Sequence, residues 1–294
     1  MTKRKTLIHA HIFYPDIWSE ILSCIENCLA ESAPPPRSVS LVLTYPKTHP
    51  ELQDILIPAV NRLKPSLKDS EVVPVPNCGY DIAPFLIEVL NRRTLDDYDY
   101  IIKLHTKRNV DTWLNFRAYR GAAWRKRLLA FAATRKAMRH SLTAFERYPK
   151  LGLISDSSLI SYGGTDYCTA AIRRECDFVR TLGLHPRAAV FVPGSIFMVR
   201  AGLLKPFAQR YGWKDFAPIT SVTAHVDGLP HQLERAFGAV VFAQGYAVSA
   251  GTFPPALAVF GYRLRTAAFR LLRTLSSNVR RLIGDSLFTR LVGG

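Results

Sequence analysis

Residues 98–107 read Tyr98-Asp-Tyr-Ile-Ile-Lys-Leu-His-Thr-Lys107, and this stretch decides the fold class. Ile101, Ile102 and Leu104 form a short apolar run that follows a polar turn. A run of this length is typical of a strand buried on both faces of a mainly parallel sheet. We therefore predict a strand over Asp99–His105.

Three basic residues lie at or beyond the carboxyl end of this strand: Lys103, His105 and Lys107. In open α/β sheets, ligands bind in the crevice outside the carboxyl ends of the strands. Two interpretations follow from the residues alone. The three side chains hold an anionic group, or the lysines are solvated and the histidine is an ordinary core residue.

In the rest of the chain, apolar residues alternate between strand and helix spacing. This alternation predicts an α/β fold with a mainly parallel sheet flanked by helices. Further strands are predicted at Thr6–Phe13, Val39–Tyr45, Val72–Val75, Leu151–Ile154, two within Val190–Val199, and Ala239–Phe242. Helices are predicted from Pro15 to Leu29, Pro50 to Leu63, Ile82 to Leu90, throughout Trp113–Tyr148, and at Ala201–Tyr211 and His231–Phe237. Ser155–Thr169 is predicted to be a loop.

The composition of the chain indicates the kind of partner and the cell compartment to expect. The chain has 294 residues, 48% of them hydrophobic, and a net charge of +16, which indicates anionic partners. Its five cysteines include no Cys-x-x-Cys pair, so we expect a reducing compartment and no structural zinc. No run approaches the ~18 apolar residues of a membrane span, and the basic start does not resemble a signal peptide. We expect a cytoplasmic protein, or one on the cytosolic face of a membrane.

The composition changes near Val259, where seven arginines and a single aspartate follow among apolar residues at helical spacing. We predict a main domain over residues 1–258 and a basic amphipathic helical tail over residues 259–294. Such a helix is typical of a surface anchor on anionic lipid. An ordinary C-terminal helix with an arginine-rich outer face fits the same pattern.

A segment with a glycine, Asn77-Cys-Gly-Tyr-Asp-Ile-Ala-Pro-Phe85, connects the third predicted strand to the next helix. Gly79 permits a tight turn or a close approach to a ligand. Asp81 can cap the helix that follows or accept hydrogen bonds from the hydroxyls of a ligand.

The third group of polar residues comes late in the chain. Gly194 and Ser195 form a turn before an apolar strand, and His225, Asp227, His231 and Glu234 follow within a short span. A carboxylate there could take a proton from an attacking hydroxyl. Asp227 could instead be a helix cap, and Glu234 could pair with Arg235 on a helix surface.

Taken together, these segments resemble the rhamnan synthesis protein F family of bacterial cell-wall and O-antigen polysaccharide assembly. The matching segments are His11–Trp18, Asn77–Phe85, Tyr98–Lys107, Gly194–Arg200 and Asp227–Arg235. They occur in the family order across residues 6 to 245. The resemblance implies a glycosyltransferase that moves rhamnose from a nucleotide sugar onto a growing glycan.

The order also resembles the GT-A (Rossmann-like) glycosyltransferase plan, in which a strand ends in an Asp-x-Asp metal site. Here Lys103-Leu-His-Thr106 stands at that position. This departure leaves a divalent ion, Mg²⁺ or Mn²⁺, as an open possibility, and we assign no metal ligand. The resemblance implies donor-binding residues Asn77, Gly79, Asp81, Lys103, His105 and Lys107, acceptor-binding residues Gly194, Ser195, His225 and His231, and a catalytic base at Asp227 or Glu234.

The expected partners are a nucleotide-sugar donor such as dTDP-rhamnose, a lipid-linked glycan acceptor and, through the tail, an anionic membrane surface. The alternative is a non-catalytic protein of the same fold that binds glycan or organises a synthesis complex. Nucleic acid is not an expected partner, because the basic residues are spread widely and form no recognition motif.

Overall fold

The computed structural model describes residues 4–32, 38–108, 111–114, 117–162, 169–186, 188–219, 228–264, 268 and 271. The strands are β1 (Thr6–His11), β2 (Val39–Pro46), β3 (Asp69–Val75), β4 (Tyr100–His105), β5 (Thr112–Leu114), β6 (Arg117–Tyr119), β7 (Leu151–Ile154), β8 (Ser161–Tyr162), β9 (Val190–Phe191), β10 (Phe197–Arg200) and β11 (Ala247–Ser249). Seven of them form one sheet in the order β11-β7-β10-β4-β1-β2-β3. The pairs β5-β6 and β8-β9 form two small ribbons.

The sheet is mainly parallel, as predicted. Only β10 runs against its neighbours, pairing antiparallel with both β4 and β7. The edge strand β3 contains Pro74, which is exposed. Proline has no N–H to donate to a sheet ladder, so its presence in the sequence favours an exposed or irregular section of strand.

Helices cover both faces of the sheet. The helices are α1 (Trp18–Ser32), α2 (Leu52–Leu63), α3 (Ile82–Pro84, continued as a π-helix over Phe85–Leu90), α4 (Ala122–Leu129), α5 (Arg135–Arg147), α6 (Thr169–Thr181), α7 (Leu229–Ala243) and α8 (residues 255–264). Short 3₁₀ helices lie at Pro15–Ile17, Lys64–Ser66, Leu95–Asp97, Pro193–Ser195, Ala201–Phe207 and Trp213–Asp215. One buried cluster joins the sheet to α1, α2, α4 and α5, and a second joins its other face to α3, α6 and α7.

The central strands contribute to both clusters because successive strand residues point to opposite faces. Ile8 and Ile102 belong to the first cluster, while Leu7 and Ile101 belong to the second. All six residues of β4 are buried, which confirms the predicted strand with two buried faces.

The direction of winding reverses between β1 and β4. The chain moves outward from β1 through β2 to β3 and then returns to the far side of β1 to form β4. A crevice opens at such a reversal, outside the carboxyl ends of the two strands, and ligands of doubly wound sheets bind there. His11 and His105, the last residues of the two strands, lie side by side at this position.

Three predicted elements are wrong. The helical region Trp113–Tyr148 begins instead with the ribbon β5-β6 and then divides into α4 and α5. It divides because the hydroxyl of Thr134 accepts a hydrogen bond of 3.1 Å from the backbone N–H of Ala137 and so caps a new helix.

The predicted strand Ala239–Phe242 lies within α7, and the last strand is β11. Ala239, Val240 and Val241 are all buried, and a buried helix segment has the same continuous apolar pattern as a buried strand. The predicted loop Ser155–Thr169 contains β8, and α6 begins at its end.

The predicted tail 259–294 is described only up to residue 264 and at residues 268 and 271, so most of it lies outside the described residues. The predicted boundary after residue 258 falls inside α8. Among the described residues no helix combines the length and the apolar character needed to cross a bilayer.

Candidate active site

The candidate site lies at the carboxyl edge of the sheet, beside β1 and β4. Because β10 is antiparallel, it begins at the edge where β4 ends. The turn Pro193–Ser195 before β10 is therefore brought against Lys103 and His105.

Lys103 is the centre of this site, and its side chain is completely buried. Its ammonium group donates to a carboxylate oxygen of Asp81, to the carbonyl of Ser195 at 3.0 Å and to the hydroxyl of Ser195 at 3.3 Å. It also lies 5.4 Å from the ring centre of Phe85. The interpretation of Lys103 as a solvated residue is therefore wrong.

Asp81 faces Lys103 rather than capping α3. It occupies the N-cap position, yet its side chain makes no capping hydrogen bond. Its Oδ2 atom instead accepts from Lys103 and, at 2.6 Å, from the hydroxyl of Ser195. Burial raises the pKa of Asp81, but the charges of His105 and Lys103 and these hydrogen bonds outweigh burial and hold the pKa well below its usual range. Burial lowers the pKa of Lys103, and the charge and hydrogen bond of Asp81 oppose this shift, so each group of the pair favours the charged form of the other.

His105 closes the inner side of the site. Its Nε2 atom lies 2.7 Å from the carbonyl of Gly194 and 3.8 Å from Oδ2 of Asp81. Its Nδ1 atom also lies 3.2 Å from a carbonyl, that of Thr106; a carbonyl can only accept, so in the neutral ring the shorter contact favours a proton on Nε2. Burial lowers the pKa of His105, only partly opposed by Asp81. At neutral pH the charge that faces Asp81 is therefore that of Lys103.

Two histidines of β1 extend the polar layer beneath the site, and the sequence analysis missed both. His9 lies beside Lys103 in the parallel register, and His11 lies beside His105. Their rings share the hydroxyl of Thr44, at 3.0 Å from Nε2 of His9 and 2.9 Å from Nδ1 of His11. Burial lowers the pKa of His9 well below its usual value and that of His11 to about 3, so both rings are neutral.

Two pairs of residues at this edge adopt the left-handed conformation. Gly79 and Tyr80 have φ of 65° and 54°, and Gly194 and Ser195 have φ of 78° and 45°. Non-glycine residues at positive φ are uncommon and concentrate at functional sites. Both turns lead directly to the hydrogen bonds around Asp81.

Helix α7 supplies the outer side of the site. Glu234 accepts a hydrogen bond of 2.6 Å from the backbone N–H of Gly194, so it holds the turn before β10. The ring of His231 lies 5.6 Å from that of Tyr80, edge to face. Within the described part of the chain, the buried Nδ1 atom of His231 has no hydrogen-bond partner.

The other predicted residues lie further out or were not placed. Asn77 is half-buried, and its carbonyl accepts from Ile219 at 3.1 Å. Lys107 is half-buried beyond the end of β4. His225 and Asp227 lie outside the described residues, and Gly228 occupies the N-cap position of α7.

The cluster consists of a paired ammonium and carboxylate beside neutral histidines. Across the described ranges, no three His, Cys, Asp or Glu side chains are grouped to hold a metal ion. The carboxylate of Asp81 lies 3.8 Å from Nε2 of His105 at the end of β4, and it is engaged by Lys103 and Ser195.

A comparison with models of protein families gives a match. The family model described as rhamnan synthesis protein F matches residues 1–246, which include β1 to β10, α1 to α7 and the whole candidate site. No curated protein matches the chain.

Proposed function

The chain belongs to the rhamnan synthesis protein F family, and we propose that it is a glycosyltransferase that moves a sugar from a nucleotide sugar to a growing cell-surface polysaccharide or O-antigen. Family membership implies a part in rhamnan synthesis. It therefore favours rhamnose as the sugar and dTDP-rhamnose as the donor. A GT-A-like plan is part of the same proposal.

One observation carries this proposal: the Lys103–Asp81–Ser195 cluster lies at the reversal of winding between β1 and β4. A buried ion pair stabilises little by itself compared with an apolar core of the same volume. The position of this ion pair at the crevice therefore favours a role in function rather than in stability.

The buried position of Lys103 favours a positioning role, since its ammonium group is engaged by Asp81 and Ser195 inside the fold. We assign contact with the donor to the segment that contains Asn77 and Gly79, and to the half-buried Lys107. Lys107 can offset the negative charge that develops on the departing diphosphate. Asp81 and His105 keep the two left-handed turns in place.

The proposed reaction is a single displacement with inversion at the anomeric carbon. An acceptor hydroxyl forms the new carbon–oxygen bond while the bond to the nucleoside diphosphate breaks, and the diphosphate oxygen keeps the electron pair. Asp227 takes the proton of the hydroxyl. Glu234, held by the N–H of Gly194, is the second candidate for the base. Gly194, Ser195, His225 and His231 are proposed to contact the acceptor sugar.

We place the reaction at the inner face of the cytoplasmic membrane, on a lipid-linked glycan acceptor. The support is the basic composition of the chain and the arginines after Val259.

A non-catalytic glycan-binding protein or scaffold is the second candidate. It is favoured by the same burial of Lys103, because a cation that is fully paired inside the protein cannot also bind a diphosphate.

The test combines ligand binding with transfer. Thermal unfolding of the purified chain is measured with nucleoside diphosphates and nucleotide sugars, with and without Mg²⁺ or Mn²⁺, and labelled sugar transfer to a membrane glycan fraction is followed in parallel. A ligand at ~100 times its Kd adds about 2.7 kcal/mol to the stability of the folded state. We expect dTDP or dTDP-rhamnose to raise the unfolding temperature.

Three variants separate the assigned roles. Asp227→Asn should keep donor binding and lower transfer by about 10²–10⁴-fold. Lys107→Met should weaken donor binding, whereas the matched control Lys136→Met, exposed on α5, should not. If no nucleotide stabilises the chain and no sugar is transferred, the non-catalytic candidate replaces the transferase.

A further inference from the structure

A row of large apolar side chains is exposed at the C-terminal end of the described chain. Phe253, Leu257, Phe260, Leu264 and Leu271 are each between 55% and 64% exposed. Within α8, Leu257, Phe260 and Leu264 are spaced by three and four positions and therefore lie on one face of the helix. We call these five residues the exposed row. An apolar patch of this kind on a folded protein marks a surface that another component covers.

The exposed row is not a core face left uncovered, because α8 already has a core face on its other side. Tyr262 is buried and stacks on Tyr162, with ring centres 5.6 Å apart and an angle of 10° between the planes. Ala258 and Val259 pack against the same buried cluster. On an ideal helix these residues lie opposite Leu257 and Phe260. The helix therefore has two apolar faces, of which the described residues cover one.

A groove of about 360 Å³ adjoins the exposed row, between α8 and the start of β11. Phe260 and Val259 line it together with Phe242 and Tyr246. Two cations also line it, with Nζ of Lys150 at 5.2 Å from the Tyr246 ring centre and the guanidinium of Arg263 at 5.7 Å from that of Phe242. No carboxylate lines this groove among the described residues.

We propose that the exposed row and this groove dock the protein on an anionic lipid bilayer. The apolar side chains enter the boundary between headgroups and acyl chains, and Lys150 and Arg263 pair with lipid phosphates at the groove. Charge decides between a bilayer and a protein as the occupant. From Val259 onward the sequence contains seven arginines and one aspartate, and anionic lipid surfaces attract such basic segments.

The docking surface is separate from the candidate active site. Lys150 immediately precedes β7 and Ala247 begins β11, so the groove lies at the amino ends of these strands. The candidate site lies at the carboxyl ends of β1 and β4, which are parallel to β7. Mutations on the docking surface therefore leave the site intact, and this inference does not depend on the proposed transferase activity.

The experiment is flotation of the full chain with vesicles of phosphatidylcholine alone or mixed in equal parts with phosphatidylglycerol. We expect flotation only with the anionic vesicles. The triple variant Leu257→Ser, Phe260→Ser and Leu264→Ser should weaken binding more than tenfold, because apolar burial drives interfacial binding. Lys150→Gln and Arg263→Gln should each weaken it about fivefold.

Matched controls use exposed residues elsewhere. Ile55→Ser with Ile57→Ser changes apolar side chains that are 41% and 38% exposed on α2, and Arg62→Gln removes an exposed cation from the same helix. These variants should bind as the original chain does. All altered side chains are exposed or at the rim of a groove, so thermal unfolding should confirm that every variant folds.

Three results would overturn the proposal. One is an absence of binding to anionic vesicles, and another is equal binding by the triple variant. The third is a concentration-dependent dimer, detected by sedimentation without lipid and abolished in the triple variant, which would assign the exposed row to self-association.

Discussion

The ammonium group of Lys103 lies 3.0 Å from the carbonyl oxygen of Ser195, and the two residues are 92 positions apart in the chain. This contact ties the central strand β4 to the turn before β10. The carboxylate of Asp81 accepts from both residues and completes a closed set of hydrogen bonds. Removing one member leaves the others buried without their partner.

The first prediction concerns this ion pair. Lys103→Met leaves the Asp81 carboxylate buried without its counter-ion and should lower the free energy of unfolding by about 3–5 kcal/mol. Asp81→Asn should also destabilise, because it leaves a buried ammonium group. The double variant should cost less than the sum of the two single changes, by about 1–3 kcal/mol. Urea unfolding at neutral pH measures all three.

The control is the surface pair of Lys205 with Asp96, whose side chains are 51% and 72% exposed. Lys205→Met should cost no more than about 1 kcal/mol. Additive costs at Lys103 and Asp81 would show that the two side chains do not interact in the folded protein.

The second prediction concerns acid stability. The pKa of His11 is lowered to about 3 by burial, while an unfolded histidine has a pKa of about 6.5. Between these values the unfolded chain binds the extra proton, so the free energy of unfolding should fall as the pH is lowered. One such histidine contributes a slope of up to about 1.4 kcal/mol per pH unit.

His9 and His105 act in the same direction, since burial lowers both of their pKa values. His11→Gln should therefore reduce the slope without abolishing it, and the two stability curves should run parallel above neutral pH. Chemical unfolding at a series of pH values gives both curves. An unchanged slope in acid would mean that His11 is protonated in the folded state.

The third prediction has the opposite sign. Glu175 of α6 is buried, and burial raises its pKa to about 8, although its carboxylate accepts a 3.0 Å hydrogen bond from the N–H of Val190. Above the unfolded pKa of about 4.3, the folded protein keeps this proton while the unfolded chain releases it. The contribution of Glu175 to the free energy of unfolding therefore falls as the pH rises from about 4.3 towards the folded pKa.

Glu175→Gln keeps an oxygen that can accept from Val190 and removes the ionisation. The variant should be about 1–3 kcal/mol more stable than the original chain near the pKa of about 8 and nearly equal to it below the unfolded pKa. Equal stability on the alkaline side would show that the carboxylate is ionised in the folded protein without cost.

The fourth prediction concerns the turn before Asp81. Gly79 has a φ of 65°, and an added Cβ would meet Ala83 and lie 2.7 Å from Cδ1 of Phe216. Gly183 has a φ of 79° but has no atom within 4 Å of an added Cβ. Gly183→Ala should cost about 1–2 kcal/mol for the left-handed backbone alone. Gly79→Ala should cost about 1–3 kcal/mol more because of overlap.

Thermal and urea unfolding of the two alanine variants measure this difference. Similar costs at Gly79 and Gly183 would show that Phe216 moves away freely and that the turn is not tightly packed.

The parts of the fold that were predicted correctly are those with an unambiguous local pattern. β4 and β2 are short, mainly apolar segments that follow turn residues, and their bounds match within a residue. α6 was missed because its sequence is polar and it follows a glycine-containing stretch that favours a loop. The strand assigned to Ala239–Phe242 failed because local sequence does not distinguish a helix buried on every side from a buried strand.

The candidate site shows a similar division. Asp81, Lys103 and Ser195 were each selected from sequence, but their mutual hydrogen bonds depend on strand order, which local pattern does not specify. The sequence does contain a pattern that groups His9 with His11, because residues two positions apart on a strand point to the same face of the sheet. Their importance depends on the pairing of β1 with β4 in a register that sets His9 beside Lys103.

The strand order has a consequence for synthesis of the chain. β1 to β4 are adjacent in the sheet and end at His105, so they can pair as soon as that residue leaves the ribosome. β7 lies between β10 and β11, which are both made later. Until residue 200 is available, the nascent chain has an open edge at β4 and a lysine without its final acceptors. This half-made sheet is the stage at which the protein is most exposed to aggregation, and where a chaperone would have the most effect.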